Sequence, residues 1–299
     1  MFPYQPTWSS TRINLLQRCP RAFVLRYGLA QVSKHHPQGQ LLSTAFQIQT
    51  PWILLHQTIR EVLLDYIEDY GIGNEWSEGL LRARVKADYS KAIQLRNHRI
   101  MTIESQQMAQ SFQVVEPEPH LIDMGIDACL KLVEDPHFVT LLNEGSIERI
   151  EPTSSVLQGK IRIYAAPDFI HHGRDRTSLV KLNLYGQSKK IERERQASLL
   201  MMYGDHESTV IQFSLKYRKW CVNMIAPTRT QTKQSLNLVS RDVQQMEAMF
   251  AQVGRNNDLS LIPLADSLRS CMNCNVRVLC PSRHGHEHAK AEQRSLMCQ

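Results

Sequence analysis

Along the chain the apolar positions keep two different periods. From Trp52 to about Tyr70, Ile53, Leu54, Ile59, Leu63, Leu64 and Ile67 recur at three- and four-residue intervals, which predicts an amphipathic helix that also carries His56. Residues 76 to 114 continue at helical period, Glu116-Pro117-Glu118-Pro119-His120 breaks the chain, and a further helix runs to about Leu142. Upstream, Ser9 or Ser10 is placed to cap a helix on which Ile13 and Leu16 share a face, and Pro20 starts a new turn after Cys19. Residues 30 to 50, rich in Gln, Ser, His and Pro, read as a loop or crossing.

The period then shortens to two. Ser146 to Glu151, Lys160 to Ala165, Asp168 to His172, Ser178 to Leu184, Thr209 to Tyr217 and Trp220 to Ala226 are short, rich in β-branched or aromatic residues and bounded by turn residues, so each is expected to be a strand. Ile191 to Tyr203, between the fourth and fifth, suits a helix packed on a sheet. A strand near Ser235 to Val239 and a last helix, Arg241 to Val253, follow. Helices, then strands with one helix inserted, then a helix, predict an α/β (α+β) fold: a mixed sheet flanked by helices. The expected organisation is an N-terminal segment over 1–30, a helical region over 31–143, a sheet-bearing core over 144–255, a cysteine-bearing segment over 256–283 and a disordered tail over 284–299.

Composition narrows the picture only modestly. The 299 residues can bury a sizeable core, and 42% hydrophobic with 21% charged residues is ordinary for a globular chain. The sequence has no apolar run of membrane-spanning length and no basic-then-apolar leader pattern at its start, so a cytoplasmic location without membrane attachment is expected. The net charge of +6 favours acidic partners mildly.

The chemistry concentrates in the cysteines. Cys271, Cys274 and Cys280 lie two and then five residues apart, in a chain with seven cysteines, and three thiolates so spaced can surround one soft metal centre. In a reducing compartment such cysteines are metal ligands or core residues before they are disulfides. A closed centre needs a fourth ligand. Cys298 is almost the last residue, whereas Cys19 follows a helix near the start; choosing Cys19 makes the centre a staple between the two ends of the fold. Zinc and an iron–sulfur cluster both suit four thiolates. Cys129 and Cys221 sit among apolar neighbours and read as core; Cys298 reads as a tail thiol. His284, His286 and His288 form a short histidine run in the tail.

These features together resemble a family. A Ser-x-x-x-Ile start leading to Cys19-Pro20-Arg21-Ala22-Phe23, a His-bearing helix, the strand Ala166-Pro167-Asp168-Phe169-Ile170 and the final Cys271/Cys274/Cys280-Pro281 set are similar to the iron–sulfur branch of the PD-(D/E)XK nucleases, which includes RecB-like and AddB-like DNA-end-processing enzymes and the CRISPR-adaptation exonucleases. The resemblance implies a restriction-endonuclease-like core and a structural 4Fe–4S cluster on Cys19, Cys271, Cys274 and Cys280. It also implies DNA as partner, protein partners in a DNA-processing or defence complex, and a catalytic Mg2+ or Mn2+ where activity is kept. By the same resemblance His56 matches the family's helix histidine, Glu148 the acid of the first strand, Asp168 the first carboxylate of the motif and Gln196 the glutamine of the following helix. His56, Glu148 and Asp168 would then be the divalent-ion ligands.

The chain departs from the family where the second carboxylate and the lysine belong. The strand reads Leu179-Val180-Lys181-Leu182-Asn183. Aligned on the apolar pattern, Lys181 replaces the acid and Asn183 the lysine; slid so that Lys181 is the lysine, the acid falls on Leu179. A unit charge pair at about 4 Å is worth about 4 kcal/mol at an effective dielectric of about 20, so an ammonium in place of a carboxylate beside a divalent ion shifts the local energy by on the order of 10 kcal/mol. The expectation is therefore a nuclease-fold DNA-binding protein with cleavage lost or much reduced. An active nuclease with a rearranged site, in which Glu192 or Glu194 substitutes, and a protein–protein assembly subunit without nucleic acid are the alternatives. Lys189, Lys190 and Arg193, beside the altered motif, are the nucleic-acid candidates, with Arg195 and the hairpin residues Arg218 and Lys219 nearby. Arg82, Arg84, Lys86, Lys91, Arg96 and Arg99 mark either a solvated helix face or a phosphate track.

Overall fold

The computed structural model describes residues 6–32, 37–104, 112–184, 189–205, 207–253, 259–272, 274–277, 280, 282 and 285–297. In chain order these form β1 (Thr7–Trp8), α1 (Ser10–Arg18), α2 (Pro20–Val24), a π-helical turn over Leu25–Leu29, α3 (Ala30–Val32), α4 (Pro37–Gln47), α5 (Pro51–Gly71), α6 (Glu78–Glu104), α7 (Pro119–Val133) and α8 (Pro136–Asn143). Then come β2 (Ser146–Arg149), β3 (Val156–Gln158), β4 (Ile161–Ile163), β5 (Phe169–His172), β6 (Thr177–Asn183), α9 (Lys190–Leu200), β7 (Thr209–Lys216), β8 (Lys219–Ile225), α10 (Arg229–Val253), α11 (Leu268–Met272) and α12 (His286–Met297).

The central sheet runs β2-β5-β6-β7-β8. Its pairs are antiparallel except β6 with β7, where Lys181 lies opposite Gln212 and Asn183 opposite Ser214. Two parallel neighbours need a crossover, and α9 supplies it. A smaller sheet, β1-β4-β3, joins the N-terminal strand to the middle of the chain through the parallel pair β1 and β4.

Helices cover both faces of the central sheet. On one side Phe169, Val180, Leu182, Ile211 and Phe213 pack with Leu55, Ile59, Leu63, Tyr89, Cys129 and Phe138 of α5 to α8. On the other, Ile170, Leu179 and Val210 meet Ala197 and Leu200 of α9. Helix α5 begins where Thr50 accepts a hydrogen bond from the Ile53 amide and Pro51 presets the first turn. Helix α7 comes so close to it that a Cβ on Gly125 would lie 2.8 Å from a methyl of Leu55 and 3.1 Å from one of Val85, so a larger residue there would make these side chains shift. The observed architecture is thus the expected mixed sheet flanked by helices.

Four local expectations are corrected. The expected strand near 235–239 lies inside α10: Val239, Val243, Met246, Phe250 and Val253 are buried at three- and four-residue intervals, and that period outweighs the short Leu-Asn-Leu-Val run. Residues 37–47, expected as loop, are helical because Leu42 and Ala45 are buried against Ile100 and Ile103 of α6. The helix expected to reach residue 114 is followed by non-helical backbone over 112–118. The tail expected to be disordered contains α12, whose composition is polar but whose His286, Ala289 and Gln293 share one buried face. Gln293 donates to the carbonyls of Ser260 (2.7 Å) and Ile262 (2.8 Å) and accepts from the Leu264 amide (3.2 Å), so the helix is docked by polar rather than apolar contacts. His284 and Cys298 lie outside the described residues.

Candidate functional site

Two polar constellations stand out. The first joins the ends of the chain. Arg21, in the Cys-Pro-Arg turn, is buried and donates to the carbonyls of Leu259 (2.5 Å), Ser260 (3.3 Å) and Ile262 (3.1 Å), while its amide donates to Pro263 (3.2 Å). This clamp sets α2 against the segment that leads into α11. As a result Cys19, Cys271, Cys274 and Cys280 all line one small cavity of about 20 Å³, together with Ala22, Leu25, Leu264 and Ser282.

Burial pushes the thiols of Cys19, Cys271 and Cys274 up, and nearby donors pull them back. Cys19 accepts the Ala22 amide at 3.4 Å as the cap of α2, Cys271 is bonded by Ser282, and Cys274 by the Val276 amide. Among the described residues no set of three or more His, Cys, Asp or Glu side chains is gathered as a single-ion site. Cys129 is fully buried with its thiol pushed up to about 12, a core residue, and Cys221 is half-buried on β8.

The second constellation lies where β5 and β6 meet α5. Asp168 is fully buried. Its Oδ2 accepts the Leu182 amide at 2.6 Å, and its Oδ1 accepts Arg60 Nε at 2.9 Å and Lys181 Nζ at 3.1 Å, with a second, shorter contact from the Arg60 guanidinium. Lys181 Nζ also donates to the Ala166 carbonyl at 2.8 Å. The carboxylate is thus enclosed by two cations and an amide. Beside Lys181, Gln212 of β7 donates to the Arg193 carbonyl (3.2 Å) and to Gln196 Oε1 (3.3 Å), which brings Gln196 next to the same strand pair. Arg60 was invisible as a site residue in the sequence; the available signal was a cation one helical turn after His56 on a largely apolar helix.

The residues expected as divalent-ion ligands are not gathered together. Glu148 is exposed and bonds His172 Nε2 at 3.3 Å, because the two-residue period of β2 turns Ile147 and Arg149 toward α5 and Glu148 away. It is Arg149 that reaches α5, pairing with Glu61, Asp65 and Glu68. His56 is buried on α5 with its ring 4.5 Å from Trp52, and burial lowers its pKa. Asn183 is half-buried two residues beyond Lys181. The two acids weighed as substitutes stay on α9: the Glu192 carboxylate accepts the Lys189 amide at 3.1 Å and Glu194 pairs with Lys190.

The basic residues divide by role. Lys189 and Lys190 are exposed at the start of α9 and Arg193 is half-buried behind them. Arg195 is structural: it binds Asp242 at 2.6 Å over the Trp8 ring, and Trp8 Nε1 reaches the same carboxylate at 2.8 Å. Of the series on α6, Arg82 pairs with Glu78, Arg84 with Asp65, and buried Arg96 donates to the carbonyls of Gln49 and Gln113, while Lys86 and Lys91 are exposed. No described helix is long and apolar enough to cross a membrane.

Comparisons with known proteins add little to this geometry. No family model matches the chain. No curated protein matches it either. Among solved structures, that of SSO0001 is 14% identical over 77% of this chain and 95% of its own, with a TM-score of 0.30. A Eubacterium rectale protein provisionally designated an exonuclease is 8% identical over 66% of this chain and 84% of its own, with a TM-score of 0.32. Both overlaps are too loose to assign a family.

Proposed function

We propose that the chain is a nuclease-like, DNA-binding protein that has lost metal-dependent cleavage and whose termini are fastened by a 4Fe–4S cluster. The observation that carries the loss of cleavage is the enclosure of Asp168. A divalent ion at this carboxylate would sit beside the Arg60 guanidinium and the Lys181 ammonium, and at an effective dielectric of about 20 that repulsion is on the order of 10 kcal/mol. The two cations already neutralise the carboxylate, and among the described residues no group of acids gathers there to hold a metal. The rearranged nuclease is disfavoured by Glu148, which bonds His172 instead.

For the cluster, the supporting observation is the shared cavity. N–H and O–H donors directed at the sulfurs of Cys19, Cys271 and Cys274 are contacts of the kind that stabilise cluster thiolates. Cys19, Cys271, Cys274 and Cys280 would hold it, and it would supply a covalent join between the chain's two ends.

DNA binding is supported by exposed Lys189 and Lys190 at the start of α9, on the helix that packs over the altered strand. The test uses anaerobically purified protein. It should be brown, absorbing near about 400 nm. It should also bind an end-labelled DNA with affinity that falls steeply as salt rises, and leave that DNA intact with Mg2+ or Mn2+. Degradation that Asp168→Ala abolishes would defeat the proposal, as would a colourless preparation containing zinc.

A further inference from the structure

The turn between β7 and β8 has an unusual composition for its shape. Lys216 and Lys219 pair across it, leaving a two-residue loop, Tyr217-Arg218, with φ of 48° and 64°. Both residues occupy the left-handed region, where a hairpin of this kind ordinarily carries Asn-Gly. A bulky aromatic there is strained, and such strain persists only where the surroundings hold it. The surroundings do. Trp220 donates from Nε1 to the Ala128 carbonyl at 2.8 Å, Leu215 and Trp220 pack on the main core, and Lys131 of α7 donates to the Arg218 carbonyl at 3.4 Å.

What the rigid tip presents is an aromatic ring among cations. Tyr217 is 87% exposed, the highest exposure of any large apolar or aromatic residue described. The Lys216 ammonium lies 5.2 Å from the ring centroid, Arg218, Lys219 and Lys131 are also exposed, and Lys131 pairs with Asp127. The tip also lies on the side of the molecule that matters for the proposed function. β6 and β7 are parallel with Lys181 opposite Gln212, so Tyr217 lies beyond the same end of the sheet as the Asp168 cluster. With strands rising about 3.3 Å per residue and spaced about 4.8 Å apart, the separation is roughly 20 Å, the length of a few nucleotides of single strand.

We infer that this hairpin tip is a binding element for single-stranded DNA, with Tyr217 stacking on an unpaired base while Lys216, Arg218 and Lys219 contact the adjoining phosphates. An exposed ring offers every base a π-face, and the surrounding cations meet the backbone, which is the pairing that recognises unpaired strands without sequence preference. This inference rests on the DNA-binding reading above and adds the strand type and the residues.

The test measures fluorescence anisotropy of labelled single-stranded and blunt duplex oligonucleotides with the full-length protein. The wild type should bind the single strand more tightly than the duplex. Tyr217→Ala should lose on the order of tenfold to a hundredfold in single-strand affinity, and Tyr217→Phe should retain it. The double variant Tyr217→Asn, Arg218→Gly removes the ring and suits the turn, so it should melt higher than the wild type yet bind worse, which no folding defect can mimic. Unchanged single-strand affinity in both ring-deleted variants would overturn the hairpin's role while leaving DNA binding in place. Failure of the wild type to bind either oligonucleotide would overturn both readings.

Discussion

The thiol cavity and the Asp168 cluster are both polar knots within an apolar body, built on opposite terms. Around Asp168 the charge is balanced internally: one carboxylate, two cations and one amide complete each other. Around the cavity, four cysteines line a common space, with donors to the sulfurs of Cys19, Cys271 and Cys274 and with Arg277 and Lys290 acting on Cys271 from farther off. The first site is satisfied within the protein; on the proposed reading the second is completed by the cluster, and a nuclease-like body would keep a structural centre while giving up a catalytic one.

The sharpest way to break this comparison is to remove one member of each set. Replacing Cys19 or Cys271 by Ser should bleach the absorbance near about 400 nm and unfold the joined termini. The expected cost exceeds any single packing change, because energy from a structural metal centre is folding energy, on the order of 10 kcal/mol for structural sites. Limited proteolysis should then cut between α10 and α12; a resistant, bleached protein would mean that the Arg21 clamp suffices.

Next in size is Asp168→Ala. It leaves Arg60 and Lys181 facing each other without a counter-ion and should cost about 3 kcal/mol in urea denaturation, the lower end for a broken buried pair because both cations keep some solvent. Lys181→Met, which leaves Asp168 with Arg60 and the Leu182 amide, should cost less. If the two losses are equal, the cluster is not internally balanced as described.

A smaller effect of opposite sign is expected at the hairpin. Tyr217→Asn with Arg218→Gly should raise stability by about 1 kcal/mol or more by relieving two left-handed residues, read from the same denaturation curves.

The smallest concerns His56. Burial holds its folded pKa below the unfolded value of 6.5, so the unfolded chain takes up the proton first. Stability should therefore be complete above about pH 6.5 and fall as the pH drops toward the folded pKa, by no more than about 1.4 kcal/mol per pH unit, the limit for one proton. His56→Gln should flatten that slope; an unaltered acid limb would assign it to other groups.

Much of this was legible along the chain. The five strands of the central sheet and β4 followed from period-two runs, whereas β1 and β3 did not; α5 followed from its apolar spacing, and Asp168 and Lys181 were singled out by one short motif. That Cys19 and the distant trio line one cavity agrees with the choice of Cys19 over Cys298 as the fourth ligand a closed centre needs. Three things were not readable. Arg60 is one cation on a long helix, and nothing local says that it turns to a strand 108 residues later. Glu148 is an acid on a predicted strand, but which face it takes depends on the register of β2 against β5. Helix α12 is held by Gln293 reaching backbone carbonyls, and hydrogen bonds to main chain leave no apolar period to detect.

By itself, then, the sequence determined the alternation of helices and strands, the cysteine spacing and the placing of Lys181 on a strand after Asp168, because each depends on neighbours a few residues away. Only the tertiary structure decided which cations enclose Asp168, which way Glu148 faces and how the polar tail docks. Those outcomes depend on strand register and on contacts between segments far apart in the chain, where a shift of one residue reverses every side chain.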